Sequence, residues 1–220
     1  EPGTCKIIHL DIDPTAIGRV YRPDVALVGD AEVTLQELIV VLKKMTVKPK
    51  PKGKLIEGIA KRIKEYESAI TQLNSDAVPI KPQRIMMEVS KFLGPRDIIV
   101  SDTGNMLSWT TRFVRLRETG RLFLPVGGTL GSSFALAIGA AFGAAKDQRV
   151  IHMTGDGGMG YNLVDLETSI RYSDLHVPMV TVVNNNSILG SERFPFTPLN
   201  YAKIFNAFGG YGIRVEKPGE

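Results

Sequence analysis

Apolar runs alternate with polar or glycine-rich breaks throughout residues 83–187. Ile85, Met86, Val89, Phe92 and Leu93 recur at helical spacing and predict a helix, followed by a strand over 97–101. The loop Asp102-Thr-Gly-Asn105 leads into a second predicted helix reaching about Leu116. A strand over 121–126 then meets Gly127-Gly-Thr-Leu-Gly131, an alanine-rich helix runs to about Ala145, and a strand over 149–154 meets Gly155-Asp-Gly-Gly158. A helix over 163–172 and a strand over 179–183 end at Asn184-Asn-Asn-Ser187. This alternation predicts an α/β fold, a mostly parallel, doubly wound sheet with helices on both faces. Ligands of such sheets bind beyond the carboxyl ends of the strands, where the breaks in the pattern lie.

The first 82 residues read differently. Two short strands over 6–13 and 25–28 are separated by Pro14 and Gly18, and Leu35, Leu38, Ile39 and Leu42 predict a helix over 31–44. Two strands and a helix are too few for an independent domain. Residues 1–44 are therefore expected to be the C-terminal part of a second, Rossmann-like α/β domain. Residues 45–82 predict a linker: Val47-Lys-Pro-Lys-Pro-Lys-Gly53 favours an extended course, and one helix carries Leu55, Ile59, Ile63 and Tyr66 on a single face. Residues 83–220 form the principal domain.

Composition narrows the function classes. The chain has 220 residues, 43% of them hydrophobic, enough for one good core and part of a second. Its net charge of +4 is mild. Much of it lies in residues 43–64, without interleaved aromatics, which argues against nucleic acid and against a membrane surface. No run approaches the roughly 20 apolar residues of a membrane span. The single cysteine, Cys5, precludes an internal disulfide and fits a reducing, cytoplasmic setting. A chain that opens on Glu1 at the lead-in to a strand is expected to be a piece of a longer protein.

Two polar residues point to chemistry. Asp156 lies just past the strand at 149–154, and Asn185 just past the strand at 179–183. A right-handed crossover makes these strands neighbours about 5 Å apart, with both side chains on one rim. Asn162, with Asp165 three residues on, is the predicted N-cap of the intervening helix, whose free N–H groups would face the same space. A carboxylate, an amide oxygen and a helix N-terminus suit Mg²⁺ and a diphosphate. Two plainer readings compete. Gly155-x-Gly157-x-x-Gly160 also satisfies the dinucleotide pattern, although Asp156 would repel a bare pyrophosphate. The segment could equally be a structural turn capped by Asp156.

Gly155-Asp156-Gly157, followed after 26 or 27 residues by an Asn pair, resembles the signature of thiamine-diphosphate (ThDP) enzymes. The run Asn184-Asn-Asn186 leaves the register open by one. Ser187-Ile188 resembles the small-then-apolar pair that follows the ligand asparagine in several relatives. The implied metal ligands are Asp156, the Asn185 side chain and the Ser187 carbonyl, with Asn186 as the alternative to Asn185. Residues 7–42, including His9-Leu-Asp-Ile-Asp-Pro14 and Val28-Gly-Asp30, are similar to the end of the central domain in acetolactate synthase-like enzymes. Residues 83–220 are similar to their diphosphate-binding domain, stopping before its final strand and helix. Gly127-Gly-Thr-Leu-Gly131 resembles the region that shapes the bent cofactor. Leu130 would wedge between its two rings, and the Gly128 carbonyl would accept from its 4′-amino group. The resemblance also implies cofactor contacts at Thr103, Gly104, Asn105, Gly155, Gly157, Gly158 and Ile188. As plain structure, Leu130 is a core leucine at the start of a helix and residues 102–105 are good turn chemistry.

Members of this family make or break C–C bonds beside a carbonyl. The resemblance implies a ThDP- and Mg²⁺-dependent lyase or carboligase acting on 2-keto acids or related carbonyl compounds. It also implies an activating glutamate on a pyrimidine-binding domain, from the missing segment or another subunit, in a homodimer or homotetramer. No catalytic residue is assigned within the chain, which alone is expected to be inactive. Residues 1–44 leave FAD, an adenine nucleotide or no ligand open for the intact protein. A non-catalytic ThDP-fold binding or regulatory protein, and a Rossmann-type nicotinamide or flavin oxidoreductase, are the competing functions. His9, His152 and His176 read as structural and Trp109 as core. Met153 and Met159 fall near the expected site without being assigned to it.

Overall fold

The computed structural model describes residues 5–45, 53–69, 71–114, 116, 122–190 and 194–220. The Lys/Pro-rich segment at 46–52 and Arg121, both covered by the sequence-based expectations, lie outside them. The chain divides into two compact units, Glu1–Lys64 and Glu65–Glu220.

In the first unit, β1 (Ile8–Asp11) and β2 (Val25–Val28) pair in parallel, Ile8 opposite Val25. Short polar side chains organise the link between them. Asp11 accepts from the Asp13 N–H at 2.9 Å, and Asp13 accepts from both the N–H and the hydroxyl of Thr15 at 2.8 Å. His9 is structural, as expected: its Nδ1 accepts from the Gly18 N–H at 3.3 Å. Asp30 caps α1 (Ala31–Lys44), accepting from the Val33 N–H at 3.0 Å. No residue of α1 is buried, and Leu35, Leu38, Ile39 and Leu42 all stay exposed. The helix α2 (Lys54–Ala69) follows.

The second unit begins with a 3₁₀ turn (Thr71–Asn74), α3 (Pro82–Phe92), β3 (Ile98–Ser101), α4 (Asn105–Phe113) and β4 (Leu122–Pro125). It continues through α5 (Ser133–Gly143), β5 (Val150–Gly155), α6 (Asp156–Tyr161), α7 (Leu166–Arg171), β6 (Met179–Asn184) and α8 (Tyr201–Ala207). The four strands are all parallel, in the order β4-β3-β5-β6. The central strands are buried on both faces, so their sequences are mostly apolar rather than alternating, with His152 and Thr154 buried inside β5. Ile99, Ile151 and Met153 pack with Met86 and Val89 of α3 and with Met106 and Phe113 of α4. Ile98, Val100 and Val150 pack with Ala137 and Ala141 of α5. Phe134, Ile138, Met159, Leu166 and Tyr201 form a third cluster. Met153 and Met159 are thus core residues, and Trp109 stacks on Phe113 at the edge of the first cluster.

One local expectation is corrected. The single helix over 163–172 is a 3₁₀ turn (Leu163–Asp165) followed by α7. Phe92, the last residue of α3, is half exposed, and the Arg149 guanidinium lies 4.3 Å above its ring. That guanidinium also pairs with Asp97 at 2.6 Å, which stands buried at the foot of β3. Among the described residues no helix is long and apolar enough to cross a membrane.

Candidate functional site

β5 and β6 end together. Gly155 pairs with Asn184 at the last position of their register, so Asp156 and Asn185 each leave the same rim of the sheet one residue later. β5 passes straight into α6, and Asp156 is the first helical residue. Asn162 stands at the N-cap position of the Leu163–Asp165 turn, as expected, and its carbonyl accepts from the Asp165 N–H at 3.1 Å, but its side chain makes no capping hydrogen bond: its Nδ2 instead donates to the Gly131 carbonyl at 2.8 Å. The glycines at 157 and 158, poor helix formers in isolation, are tolerated because the packing leaves no room for a side chain. A Cβ on Gly157 would lie 2.9 Å from Leu189 Cδ1, and one on Gly158 only 1.7 Å from Asp102 Oδ2.

Asp156 is 5% exposed. Its Oδ1 accepts from the Gly157 N–H at 2.8 Å, and its Oδ2 has no hydrogen-bond partner among the described residues. A buried carboxylate oxygen left unpaired is costly, so this atom marks a place where a cation fits. The Asp156 carbonyl is fixed by the Tyr201 hydroxyl, which donates to it at 2.9 Å. Burial pushes the Tyr201 phenol up, and the Asp156 charge adds to the effect.

The asparagine run divides by hydrogen bonding. Asn185 is exposed, and its Nδ2 donates to the Leu199 carbonyl at 2.8 Å. Among the described residues that leaves Oδ1 with only a long contact, 3.4 Å, from the Ser187 hydroxyl. Asn186 uses its own Oδ1 to accept from the Ile188 N–H at 3.2 Å, closing a local turn. Ser187 has φ 57, the left-handed region that a side chain rarely adopts. Its carbonyl accepts from the Phe196 N–H at 2.7 Å, so one of its two lone pairs is used. Ile188 forms an antiparallel bridge with Pro195. Among the described residues no hydrogen bond joins Asp156 to the asparagine run, and no three His, Cys, Asp or Glu residues gather. Any ion here would draw on amide, carbonyl and ligand oxygens as well.

A second group forms around Asp102. Thr103 Oγ1 accepts from the Gly128 N–H at 3.2 Å, tying the loop before α4 to the loop after β4. Gly104 and Gly128 have φ 82 and φ 87, which glycine adopts without strain. Asn105 opens α4, and Leu130 is half buried. Asp102 is fully buried and accepts from the N–H groups of Thr103 and Gly131 and from the Thr154 hydroxyl. The structure thus links Thr103 with Gly128, and links Gly131, Thr154 and Gly158 through Asp102. It sets Gly155, Asp156 and Asn185 on the adjoining strand ends. His152 lies in the core, its Nε2 2.8 Å from the Ser133 hydroxyl, and burial pushes its imidazole down to about 3. His176 is held by the Ser169 and Val177 carbonyls.

Residues 102–220, more than half of the chain, match the family described as "Thiamine pyrophosphate enzyme, C-terminal TPP binding domain". The chain belongs to this family.

The matched region starts at Asp102 and takes in both residue groups described above. A probable acetolactate synthase large subunit of Methanococcus aeolicus is 33% identical over 98% of this chain and 39% of its own length. The same description applies to a Methanocaldococcus jannaschii protein, 36% identical over 84% of this chain and 31% of its own length. A 2-hydroxyacyl-CoA lyase of Arabidopsis thaliana is 30% identical over 98% of this chain and 41% of its own length. The chain therefore spans about two fifths of the length of these relatives or less.

Sequence reasoning missed three residues of the site. Asp102 read as turn chemistry, although a carboxylate directly after the strand Ile98-Ile-Val-Ser101 stands at a strand tip of the binding rim. Asn162 read as a cap. Tyr201 carried no signal, because its partner is a backbone carbonyl 45 residues away.

Proposed function

We propose that this chain provides the diphosphate- and magnesium-binding half of a ThDP-dependent lyase or carboligase acting on 2-keto acids or related carbonyl compounds, as acetolactate synthase does. The observation that carries the proposal is the unpaired, buried Asp156 Oδ2 beside the strand end that carries Asn185. A divalent cation is the partner that removes the cost of that oxygen, and it takes oxygen ligands from protein and phosphate together. Asp156, the Asn185 Oδ1 and the Ser187 carbonyl would hold Mg²⁺. Asn185 is preferred to Asn186 because the Asn186 oxygen is engaged in its own turn.

Thr103, Gly104, Asn105, Gly155, Gly157, Gly158 and Ile188 would line the cofactor. The Gly128 carbonyl would face its amino group, and Leu130 would hold its bend. Bound ThDP supplies an electron sink for bonds beside a carbonyl. The residues of this chain contribute position and charge. The activating glutamate would come from a pyrimidine-binding domain, in a longer polypeptide or a second subunit of a homodimer or homotetramer. FAD, if bound, would belong with the domain that residues 1–44 complete. The cytoplasm is the proposed setting.

The test is complementation. The chain alone should bind ThDP only with Mg²⁺ and show no turnover of a 2-keto acid; adding a pyrimidine-binding domain should restore turnover. Turnover by the chain alone would contradict the proposed division of the site. Binding of a nicotinamide dinucleotide without Mg²⁺ would favour the oxidoreductase alternative.

A further inference from the structure

Gly131 is gripped from both sides. Its N–H donates to the two Asp102 carboxylate oxygens at 3.1 and 3.2 Å, and its carbonyl accepts from Asn162 Nδ2 at 2.8 Å. The residue sits at φ 91 and is closely packed. A Cβ there would lie 2.6 Å from Tyr161 Cβ and 3.0 Å from the Gly158 carbonyl oxygen. Asp102 in turn is 0% exposed, and its partners are the N–H groups of Thr103 and Gly131 and the Thr154 hydroxyl, all neutral donors. Among the described residues no cation pairs with it, so a carboxylate so sequestered depends on every one of these donors and its position is closely determined.

The consequence falls on the preceding residue. The peptide between Leu130 and Gly131 is planar, so fixing the Gly131 N–H fixes the orientation of the Leu130 carbonyl. Two residues earlier, the Gly128 N–H is tied to Thr103 Oγ1 at 3.2 Å. Leu130 is therefore suspended between two anchored points of a loop that has no regular structure of its own.

We propose that Asp102 and Asn162 are positioning residues that hold Leu130 in place by clamping Gly131, so that the Leu130 side chain meets the two rings of the cofactor in one fixed arrangement. The proposal rests on the ThDP reading above and extends it to two residues that do not touch the cofactor. Asp102→Asn keeps the volume but turns an amide N–H₂ towards the Gly131 or Thr154 donors. Asn162→Asp keeps the volume but sets a carboxylate against the Gly131 carbonyl. Neither would matter if the side chains served only to fill space.

The experiment titrates the full chain with ThDP and, separately, with inorganic pyrophosphate, both in Mg²⁺, and follows amide exchange at Gly131. Each variant should bind ThDP about tenfold more weakly, the scale of one lost hydrogen bond to a charged or buried group. Each should bind pyrophosphate, which has no rings, as the unaltered chain does, and should exchange the Gly131 amide faster. Leu130→Ala should show the same split between the two ligands without the change in exchange. If the unaltered chain binds no ThDP, the cofactor reading fails and this proposal with it. If it binds ThDP and both variants match it, the clamp alone is refuted. Equal losses for ThDP and pyrophosphate would also refute it, since the effect would then not pass through Leu130. Should Asp102→Asn not fold, the half-buried Asn162→Asp decides the question by the same readings.

Discussion

Gly158→Ala should unfold the second unit far more readily than an alanine usually does. The added Cβ would stand 1.7 Å from Asp102 Oδ2, 2.9 Å from Asp102 Cγ and 2.7 Å from Thr154 Oγ1, where ordinary contact begins at 3.4 Å. Oδ2 must retreat by about half that ordinary separation, beyond hydrogen-bonding reach of the Thr154 hydroxyl and the Gly131 N–H. Weakening hydrogen bonds to a buried charged acceptor costs about 1.5–3 kcal/mol each. Overpacking of a tight interior adds about 1–3 kcal/mol. Partial relaxation reduces the sum to about 4 kcal/mol, a large part of the roughly 5–15 kcal/mol that holds a domain folded. Urea denaturation followed through Trp109, the only tryptophan, reports on this unit. With a slope of about 2 kcal/mol per molar, the midpoint should fall by about 2 M. Gly139→Ala is the control: it lies inside α5 with nothing within 4 Å of its would-be Cβ, and should stabilise by about 0.5–1 kcal/mol. A Gly158→Ala midpoint within about 0.5 M of the unaltered chain would refute the close packing of Gly158 on a fixed Asp102.

Three further outcomes follow from the same contacts. His152 is held neutral, pushed down to about 3 by burial. Below pH ~6.5 the unfolded chain takes up a proton that the folded chain does not. Its contribution is therefore complete above that pH and is lost towards pH ~3, by up to roughly 1.4 kcal/mol per pH unit. Urea midpoints measured against pH should show this slope, and His152→Gln should flatten it; identical slopes would contradict the neutral buried imidazole. Asp97→Ala should cost about 2 kcal/mol in the same assay, because it strips Arg149 of its carboxylate and the Gly94 N–H of its acceptor. Tyr201→Phe should cost about 1 kcal/mol, since it leaves the Asp156 carbonyl without its donor; no loss would mean that water replaces the hydroxyl.

The parallel sheet was legible because both faces of β3 and β5 are covered, which writes them as the apolar run Ile98–Val100 and the run Val150–Met153, broken only by the buried His152, between polar breaks. The placement of Asp156 and Asn185 was legible for a related reason. Each is the first residue past a strand, and parallel neighbours end on one rim. Local patterns failed where tertiary contacts decide the outcome. Asn162 has good capping chemistry, yet its amide is drawn to the Gly131 carbonyl, which the left-handed conformation at Gly131 turns towards it. Helix propensity argues against a helix through Gly157-Gly158, but Asp102, Leu189 and Phe196 approach too closely for any other residue. Asp102 and Tyr201 act on backbone groups far away in the chain, and a backbone partner leaves no mark on residue identity. The apolar stripe of α1 was read correctly as a helix face, and it remains uncovered among the described residues of the first unit.

The central claim is that Asp156 and Asn185 share a divalent ion with a bound diphosphate. Mn²⁺ in place of Mg²⁺ allows the ion to be counted by electron paramagnetic resonance, with the chain titrated in the presence and absence of ThDP. The account predicts a single tightly held Mn²⁺ per chain that requires ThDP, is lost in Asp156→Asn and in Asn185→Ala, and persists in Asn186→Ala. Mn²⁺ held equally well by Asp156→Asn would contradict it.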